Sequence, residues 1–246
     1  MSEFGKARVA IVTALEREVR PLVKRWHVHE RKHDGRTFRF YEEDEIVVVC
    51  GGIGAEAARR AAEAVITIYQ PAVIFSAGFA GALDPKLKVG DLVRPQRVID
   101  ASDGSSITLE GGEGVLVSFS SVASPEQKAR LRETFSGQAV DMEAAAVARA
   151  AHAHGIEFAV VKAISDLAGF DFPANERFIA ADGRFSEVRF TIFAAARPWL
   201  WLRVLRLARN CARAARALAE GLAALAGRTL RPGSGQASAS APTRIA

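Results

Sequence analysis

The sequence contains few cysteines and no long uninterrupted apolar segment. Its two cysteines, Cys50 and Cys211, do not provide a disulfide framework, and a reducing compartment is expected. The apolar run that begins at Val9 meets Glu16 before it reaches the length of a signal-peptide core. The apolar stretch 190–207 is broken by arginines too closely spaced for a bilayer span. We therefore expect a cytoplasmic protein without a transmembrane helix.

The excess of positive charge is confined to one end of the chain. The formal net charge is +5, which at first favours a nucleic-acid partner. Most of that charge lies in residues 197–228, where arginines outnumber the single acidic residue, Glu220, and residues 1–196 are mildly acidic. A basic surface that follows phosphates is not predicted for the main body, and no nucleic-acid partner is expected.

Short apolar runs alternate with helical patterns over most of the chain. Runs rich in β-branched residues, typical of strands covered on both faces, occupy 9–12, 46–49, 72–75, 114–117 and 158–161. Helical patterns occupy 16–26, 55–69, 125–135 and 142–154. This alternation predicts an α/β layered fold. We expect one catalytic domain over 1–196, a helix over 197–227 and a disordered tail over 228–246.

Two glycine-rich segments follow predicted strands. GGIGAEAA at 51–58 matches the dinucleotide pattern, but the next strand lacks the acidic residue that would hold a ribose, so no such cofactor is expected. SAGFAGAL at 76–83 places small residues where open α/β sheets bind their ligands, although an ordinary turn has a similar composition. Gly78 and Phe79 are candidate substrate-binding residues.

Carboxylates lie at the ends of several predicted elements. Glu18 follows the first strand, Asp141 and Glu143 stand at a helix start, and Ser165 and Asp166 follow a buried strand. Because burying a carboxylate without partners is costly, such groups are usually functional or cap a helix. Capping alone is a sufficient reason for either aspartate.

Metal and serine-hydrolase chemistry have less support. His27, His29 and His33 lie in a charge-rich segment that predicts an exposed hairpin, without the carboxylates of a catalytic zinc site. The G-x-S-x-G elbow of serine hydrolases is absent. No metal and no cofactor are expected.

Five segments in order resemble the methylthioadenosine and S-adenosylhomocysteine nucleosidases and their phosphorylase relatives. They are VAIVTALEREV, GGIGAEAA, SAGFAGALDPKLKVGDLV, VDMEAAAVARAA and VVKAISDLA, within residues 7–168. The resemblance implies a single three-layer α/β domain around a twisted mixed sheet, in a homodimer or larger oligomer. It implies that the partner of the site is a small purine nucleoside.

The resemblance also assigns roles to individual residues. Glu18 matches the acid that activates the attacking water, and Met142 and Glu143 match the pair that holds the ribose. Asp166, with Ser165 beside it, matches the acid that protonates the purine. Glycosidic cleavage passes through a cationic ribosyl species, which explains the need for a donor to the base and for negative charge near the sugar.

The chain departs from these nucleosidases in its middle. Between Asp91 and Asp141 it is shorter, and Val122 stands near the place of the aromatic that stacks on the base. The candidates for a substitute ring are Phe119, Phe170 and Phe172. The shortened middle and the arginine-rich end look more like the hopanoid-biosynthesis-associated branch, which implies adenosylhopane as the substrate.

The predicted C-terminal helix is amphipathic. On a helical wheel its apolar residues fall on one narrow face and its arginines on the other. The pattern favours two roles equally: the helix lies on an anionic membrane surface, or its leucine face packs on the domain.

These observations predict a cofactor-free nucleosidase that releases adenine from a 5′-substituted adenosine. A phosphorylase on the same fold remains an alternative, because Arg17, Arg20 and Arg94 are available for phosphate. A non-catalytic lipid- or protein-binding module is the third possibility.

Overall fold

The computed structural model of the protein describes residues 8–171, 199 and 201–229. The strands in this part are β1 Val9–Thr13, β2 His27–His33, β3 Arg36–Glu43, β4 Ile46–Cys50, β5 Val73–Ala82, β6 Leu92–Val93, β7 Arg97–Asp100, β8 Ser106–Thr108, β9 Val115–Ser118, β10 Ala139–Asp141 and β11 Glu157–Asp166. The helices are α1 Glu16–Val23, α2 Ala55–Tyr69, α3 Pro125–Phe135, α4 Ala144–Ala153 and α5 Trp201–Thr229.

The strands form one mixed sheet. Its main path runs β2-β3-β4-β1-β5-β10-β9-β7-β8, and β11 pairs with β5 and β6. β1, β4, β5 and β11 are mutually parallel, and β2 and β3 run antiparallel to their neighbours. β10 is antiparallel to β5 and parallel to β9. The predicted α/β fold with a mixed central sheet is confirmed.

Helices cover both faces of the sheet because the strand side chains alternate between them. From β1, Ala10 and Val12 pack with α2 and α4, whereas Val9 and Ile11 pack with α1 and α5. Every one of these strand residues is buried. The result is three layers, helix on sheet on helix.

Two strands are longer than the apolar runs predicted. The run 72–75 continues through the glycine-rich segment as β5, and the run 158–161 continues through Asp166 as β11. The two strands are parallel partners along this whole length, so the backbone amides of the glycines have strand partners. The glycine-rich segment is therefore strand and not turn.

Local chemistry determines where α3 begins. Gln127 N–H donates to Ser124 Oγ at 3.3 Å, and the Ser124 N–H donates to Gln127 Oε1 at 2.8 Å. Pro125, which has no N–H to satisfy, stands in the first turn. This capping box places the face of α3 that carries Lys128 toward the sheet, where the side chain is buried.

The two ends of α5 have different surroundings. Toward its end, Leu218 and Leu222 are buried with α1 and the sheet. Near its start, Leu202 and Leu205 are 80% and 54% exposed. None of the helices in the described ranges has a segment long and apolar enough to cross a membrane. The second half of α5 is thus part of the core.

This difference gives a paired stability prediction. Leu218→Ala removes a fully buried side chain and leaves a cavity, so we expect the free energy of unfolding to fall by about 2–5 kcal/mol. Leu202→Ala, in the same helix but exposed, is expected to change it by less than about 0.5 kcal/mol. Urea denaturation followed by circular dichroism measures both; equal effects would contradict the packing of α5 on the domain.

Candidate active site

Most of the sequence-predicted site residues lie at the ends of strands or at the starts of the helices that follow them. Glu18 is in the first turn of α1, just beyond β1, and Asp141 closes β10. Ser165 and Asp166 close β11, whose partner β5 carries Gly78. The carboxyl ends of β1 and β11, which are both parallel to β5, share one edge of the sheet, where open α/β sheets bind ligands, whereas Asp141 comes from β10, which runs antiparallel to β5.

Glu18 is a buried carboxylate with one strong partner. Thr13 Oγ1 donates to its Oε2 at 2.6 Å, and the Leu15 N–H donates to the same atom at 3.4 Å. Burial raises the pKa of Glu18, while the Thr13 hydrogen bond and the charge of Lys162 act in the opposite direction. A carboxylate with a raised pKa accepts a proton more readily, as a general base must.

Gly78 allows Glu18 to reach the sheet. Its φ is +152°, and a β carbon at this position would lie 2.8 Å from Glu18 Oε2 and 3.7 Å from Lys162 Nζ. Real β carbons do not approach other atoms as closely as the first of these distances. A side chain at position 78 would therefore displace Glu18.

Lys162 is buried among the carboxylates. Its Nζ lies 2.8 Å from Asp141 Oδ2 and 3.9 Å from Glu143 Oε2, and the residue is 1% exposed. Burial by itself lowers the pKa of Lys162, but the two carboxylates outweigh it and raise the pKa. Lys162 is thus a charged group inside the protein, held by its acidic partners.

Glu143 is connected to the GGIG segment. The Gly54 N–H donates to Glu143 Oε1 at 2.9 Å. Burial raises the pKa of Glu143 to about 7. The charge of Asp141 also raises this pKa, whereas the charge of Lys162 and the hydrogen bond from Gly54 lower it. The glycine-rich turn after β4 therefore donates to a carboxylate of the protein itself.

Asp141 is fully engaged within the protein. Besides Lys162, it accepts from Ser118 Oγ at 2.6 Å and from the Ala144 N–H at 2.8 Å. The second bond satisfies a free amide at the start of α4, although the N-cap position of this helix, which the sequence offered to Asp141, is held by Glu143. Asp141 supports the site by fixing Lys162 and the start of α4.

Asp166 is the last residue of β11, and its carboxylate has two partners. Ser165 Oγ donates to its Oδ1 at 2.8 Å, and Lys128 forms an ion pair with its Oδ2. The Asp166 side chain is 23% exposed, so one part of it is open to solvent. A bulge in the β5–β11 pairing between Ile164 and Asp166 changes the direction of this last residue.

The remaining predicted substrate-binding residues are more exposed than these buried groups. Met142, next to Glu143, and Phe79 in β5 are half-buried, and Val122 is 40% exposed. Of the candidate rings, Phe119 packs partly in a small apolar cluster and Phe170 is half-buried. The third candidate, Phe172, lies outside the described residues.

Lys162 and Lys128 were missed in the sequence. Lys162 interrupts an apolar run, and a lysine within a strand covered on both faces must find acidic partners, so a signal was present. Lys128 lies in a polar helix segment where nothing local distinguishes it from its exposed neighbours. Its burial depends on the tertiary fold.

The histidines lie away from these carboxylates. His27, His29 and His33 are on β2 at the outer end of the main strand path, in the hairpin expected for this segment. Within residues 8–171 and 201–229, no three histidine, cysteine or acidic residues are grouped in a way that could hold a metal ion.

Comparison with known proteins identifies similar enzymes. A 5′-methylthioadenosine/S-adenosylhomocysteine nucleosidase of Staphylococcus aureus is 28% identical over 198 residues, which are 65% of this chain and 86% of that protein. The Colwellia psychrerythraea nucleosidase of the same name, solved with adenine, is 26% identical with a TM-score of 0.56, covering 67% of this chain and 84% of that one.

A more distant relative shares the fold. The futalosine hydrolase of Helicobacter pylori has a TM-score of 0.67 at 20% identity, covering 91% of this chain and 98% of its own. The sequence model of the phosphorylase superfamily matches residues 8–121 and 113–196, which together make up most of the chain. This protein therefore belongs to the phosphorylase superfamily.

Proposed function

We propose that the protein hydrolyses the N-glycosidic bond of a 5′-substituted adenosine and releases adenine. The observation that carries the proposal is the buried group of three carboxylates, Glu18, Asp141 and Glu143, around a single ammonium, Lys162. Asp166 lies at the end of the same strand as Lys162. One strand, β11, thus carries both the ammonium that pairs with Asp141 and Glu143 and the carboxylate that we assign to the base.

The charges of this group suit a cationic transition state. When the bond to the base breaks, positive charge develops on the ribosyl ring. Carboxylates in a buried site interact with that charge more strongly than they would in water. Glu143, next to half-buried Met142, is the group we assign to the ribose hydroxyls.

Glu18 is the group we assign to the attacking water. Thr13 fixes the carboxylate by donating to Oε2. We expect the other carboxylate oxygen, Oε1, to receive the water proton. Asp166 is assigned to the leaving base, to which it passes a proton.

Water fits this site better than phosphate. A phosphate would bring negative charge to a site that already holds three carboxylates, and the lysine buried among them is engaged with Asp141 and Glu143. Like charges in a buried site repel strongly. We therefore prefer hydrolysis to phosphorolysis.

The relatives support adenine as the base. The Staphylococcus aureus and Colwellia psychrerythraea proteins are nucleosidases of methylthioadenosine and S-adenosylhomocysteine, and the second was solved with adenine. We extend this substrate class to the present chain at the level of a 5′-substituted adenosine.

We further propose that the 5′ substituent is long and apolar, as in adenosylhopane, and that the start of α5 brings the enzyme to a membrane surface. Trp199 is 73% exposed, and Leu202 and Leu205 are also exposed. Arg203 and Arg206, among them, are exposed as well. Exposed apolar side chains beside arginines are typical of helices that lie on anionic lipid.

The function is tested by product analysis on Glu18→Gln. With methylthioadenosine as substrate, wild-type protein is expected to release adenine and free methylthioribose at a rate independent of phosphate. Glu18→Gln is expected to lose about 10²–10⁴-fold in kcat, because it removes the base that activates water. Glu16→Gln, a neighbour in the same helix turn whose side chain is 45% exposed, is the matched control and should retain activity. A ribose-1-phosphate product would establish the phosphorylase instead.

The raised pKa of Glu143 predicts a pH-dependent stability. Between its ordinary pKa of 4.5 and the folded value of about 7, the folded state binds more protons than the unfolded state. The contribution of Glu143 to the free energy of unfolding is therefore largest at low pH and is lost as the pH rises through about 7. We expect Glu143→Gln to lose less thermal stability than wild type between about pH 5 and pH 8. Exposed Glu133→Gln is the control, and identical pH slopes in all three proteins would contradict the assignment.

The membrane proposal is tested by replacing Trp199, Leu202 and Leu205 together with serine. The triple variant should lose co-sedimentation with phosphatidylglycerol vesicles and activity on an adenosine with a long 5′ alkyl chain. Its activity on methylthioadenosine should persist, because the second half of α5 still packs on the domain. Val28→Ser, at a position on β2 that is 50% exposed, is the control. Full-length protein that stays in the supernatant would rule the proposal out.

A further inference from the structure

Lys128 is a buried lysine directed at the group assigned to the leaving base. It is 2% exposed, although it belongs to a helix that is otherwise mostly polar. Its Nζ forms an ion pair with Asp166 Oδ2 and donates to the Leu167 carbonyl at 2.9 Å. Burying an ammonium is costly unless it is paired and hydrogen-bonded, and both conditions are met here.

The backbone of β5 leaves room for this pair. A β carbon at Gly81, the strand partner of Asp166, would lie 2.9 Å from Asp166 Oδ2 and 3.3 Å from Lys128 Nζ. With any larger residue at position 81, the Asp166 carboxylate would have to shift from its present place beside Lys128. The absence of a side chain on this neighbouring strand is therefore a condition for their contact.

The ion pair changes how Asp166 can act as an acid. In a pair of ammonium and carboxylate, the proton resides on the nitrogen, so the carboxylate alone has none to donate. Ser165 occupies the other oxygen as a donor, and its hydroxyl is a poor acid. The more acidic of the protons in contact with Asp166 are therefore those on the Lys128 ammonium.

We propose that Lys128 and Asp166 form a single proton-donating unit, with Lys128 as a positioning residue that supplies the proton through Asp166. The inference rests on the proposed function. As the bond from the ribose to the base breaks, its electron pair moves to the base, and Asp166 passes a proton to a ring nitrogen. Lys128 gives up that proton and becomes a neutral amine, while Glu18 takes a proton from the attacking water. Exchange with solvent restores both groups.

Substrate binding itself favours the transfer. The Asp166 side chain is 23% exposed, and a purine placed against it would cover that exposed part. Removing water disfavours charged forms, so an ion pair approaches the energy of its neutral form as the base arrives. The proton then becomes available when the leaving group is in place.

The test uses two leaving groups that differ in their need for a proton. Methylthioadenosine requires protonation of the departing adenine, whereas a p-nitrophenyl riboside releases a phenolate that leaves unprotonated. Lys128→Met is expected to lose about 10²–10⁴-fold in kcat on methylthioadenosine, as Asp166→Asn does, because both lack the donor. Both should retain the wild-type rate on the riboside within a few-fold. Arg130→Met, exposed on the same helix, is the control.

Lys128→Arg separates proton supply from charge. A guanidinium retains the ion pair but does not release its proton, so we expect no rescue on methylthioadenosine. Wild-type activity in this variant would show that charge alone suffices and would overturn the inference. Equal losses on both substrates in Lys128→Met would also overturn it, since they would indicate a structural role. If the wild-type protein released no adenine from any adenosine tested, the proposed function would fail first.

Discussion

The buried ammonium of Lys162 is the constraint around which the site is organised. A lysine inside the sheet is tolerated only if carboxylates surround it, and Asp141 and Glu143 provide them at 2.8 Å and 3.9 Å. Those carboxylates need donors in turn, which come from Ser118, Gly54 and the start of α4. Removing one partner would leave an uncompensated charge inside the protein, so the groups depend on one another.

The elements that the sequence predicts well have local determinants. α2 and α3 begin and end at the predicted residues, since the glycine turn before Ala55 and the capping box at Ser124 are complete within a few positions. The sequence underestimates the lengths of β5 and β11 for a related reason. An apolar run stops at Lys162 and at the glycines, but the strands continue because their hydrogen bonds come from distant partners.

The residues of the site differ in the same way: some can be predicted from the local sequence and others cannot. The positions of Glu18, Asp141, Glu143 and Asp166 at element ends follow from the sequence, because each stands where an apolar run or a helical pattern begins or ends. The positions of Lys128 and Lys162 in the site do not follow from the sequence, because a lysine side chain is normally solvated. Only the packed sheet shows which lysines are buried. The resemblance to the nucleosidases supplied roles for the carboxylates, whereas the ion pair between Lys128 and Asp166 is visible only in the folded chain.

The hydrogen bond from Gly54 to Glu143 joins residues 89 positions apart. Together with the pairing of β5 and β11 and the ion pair of Lys128 with Asp166, it means that the site is assembled from distant parts of the chain, even though Glu18 also has a close neighbour, Thr13, as a hydrogen-bond donor. Contacts of this kind form late in folding, after long loops have closed. We therefore expect the site to be complete only when folding is complete, so that recovery of its activity would mark the final step of refolding and not an early collapsed state.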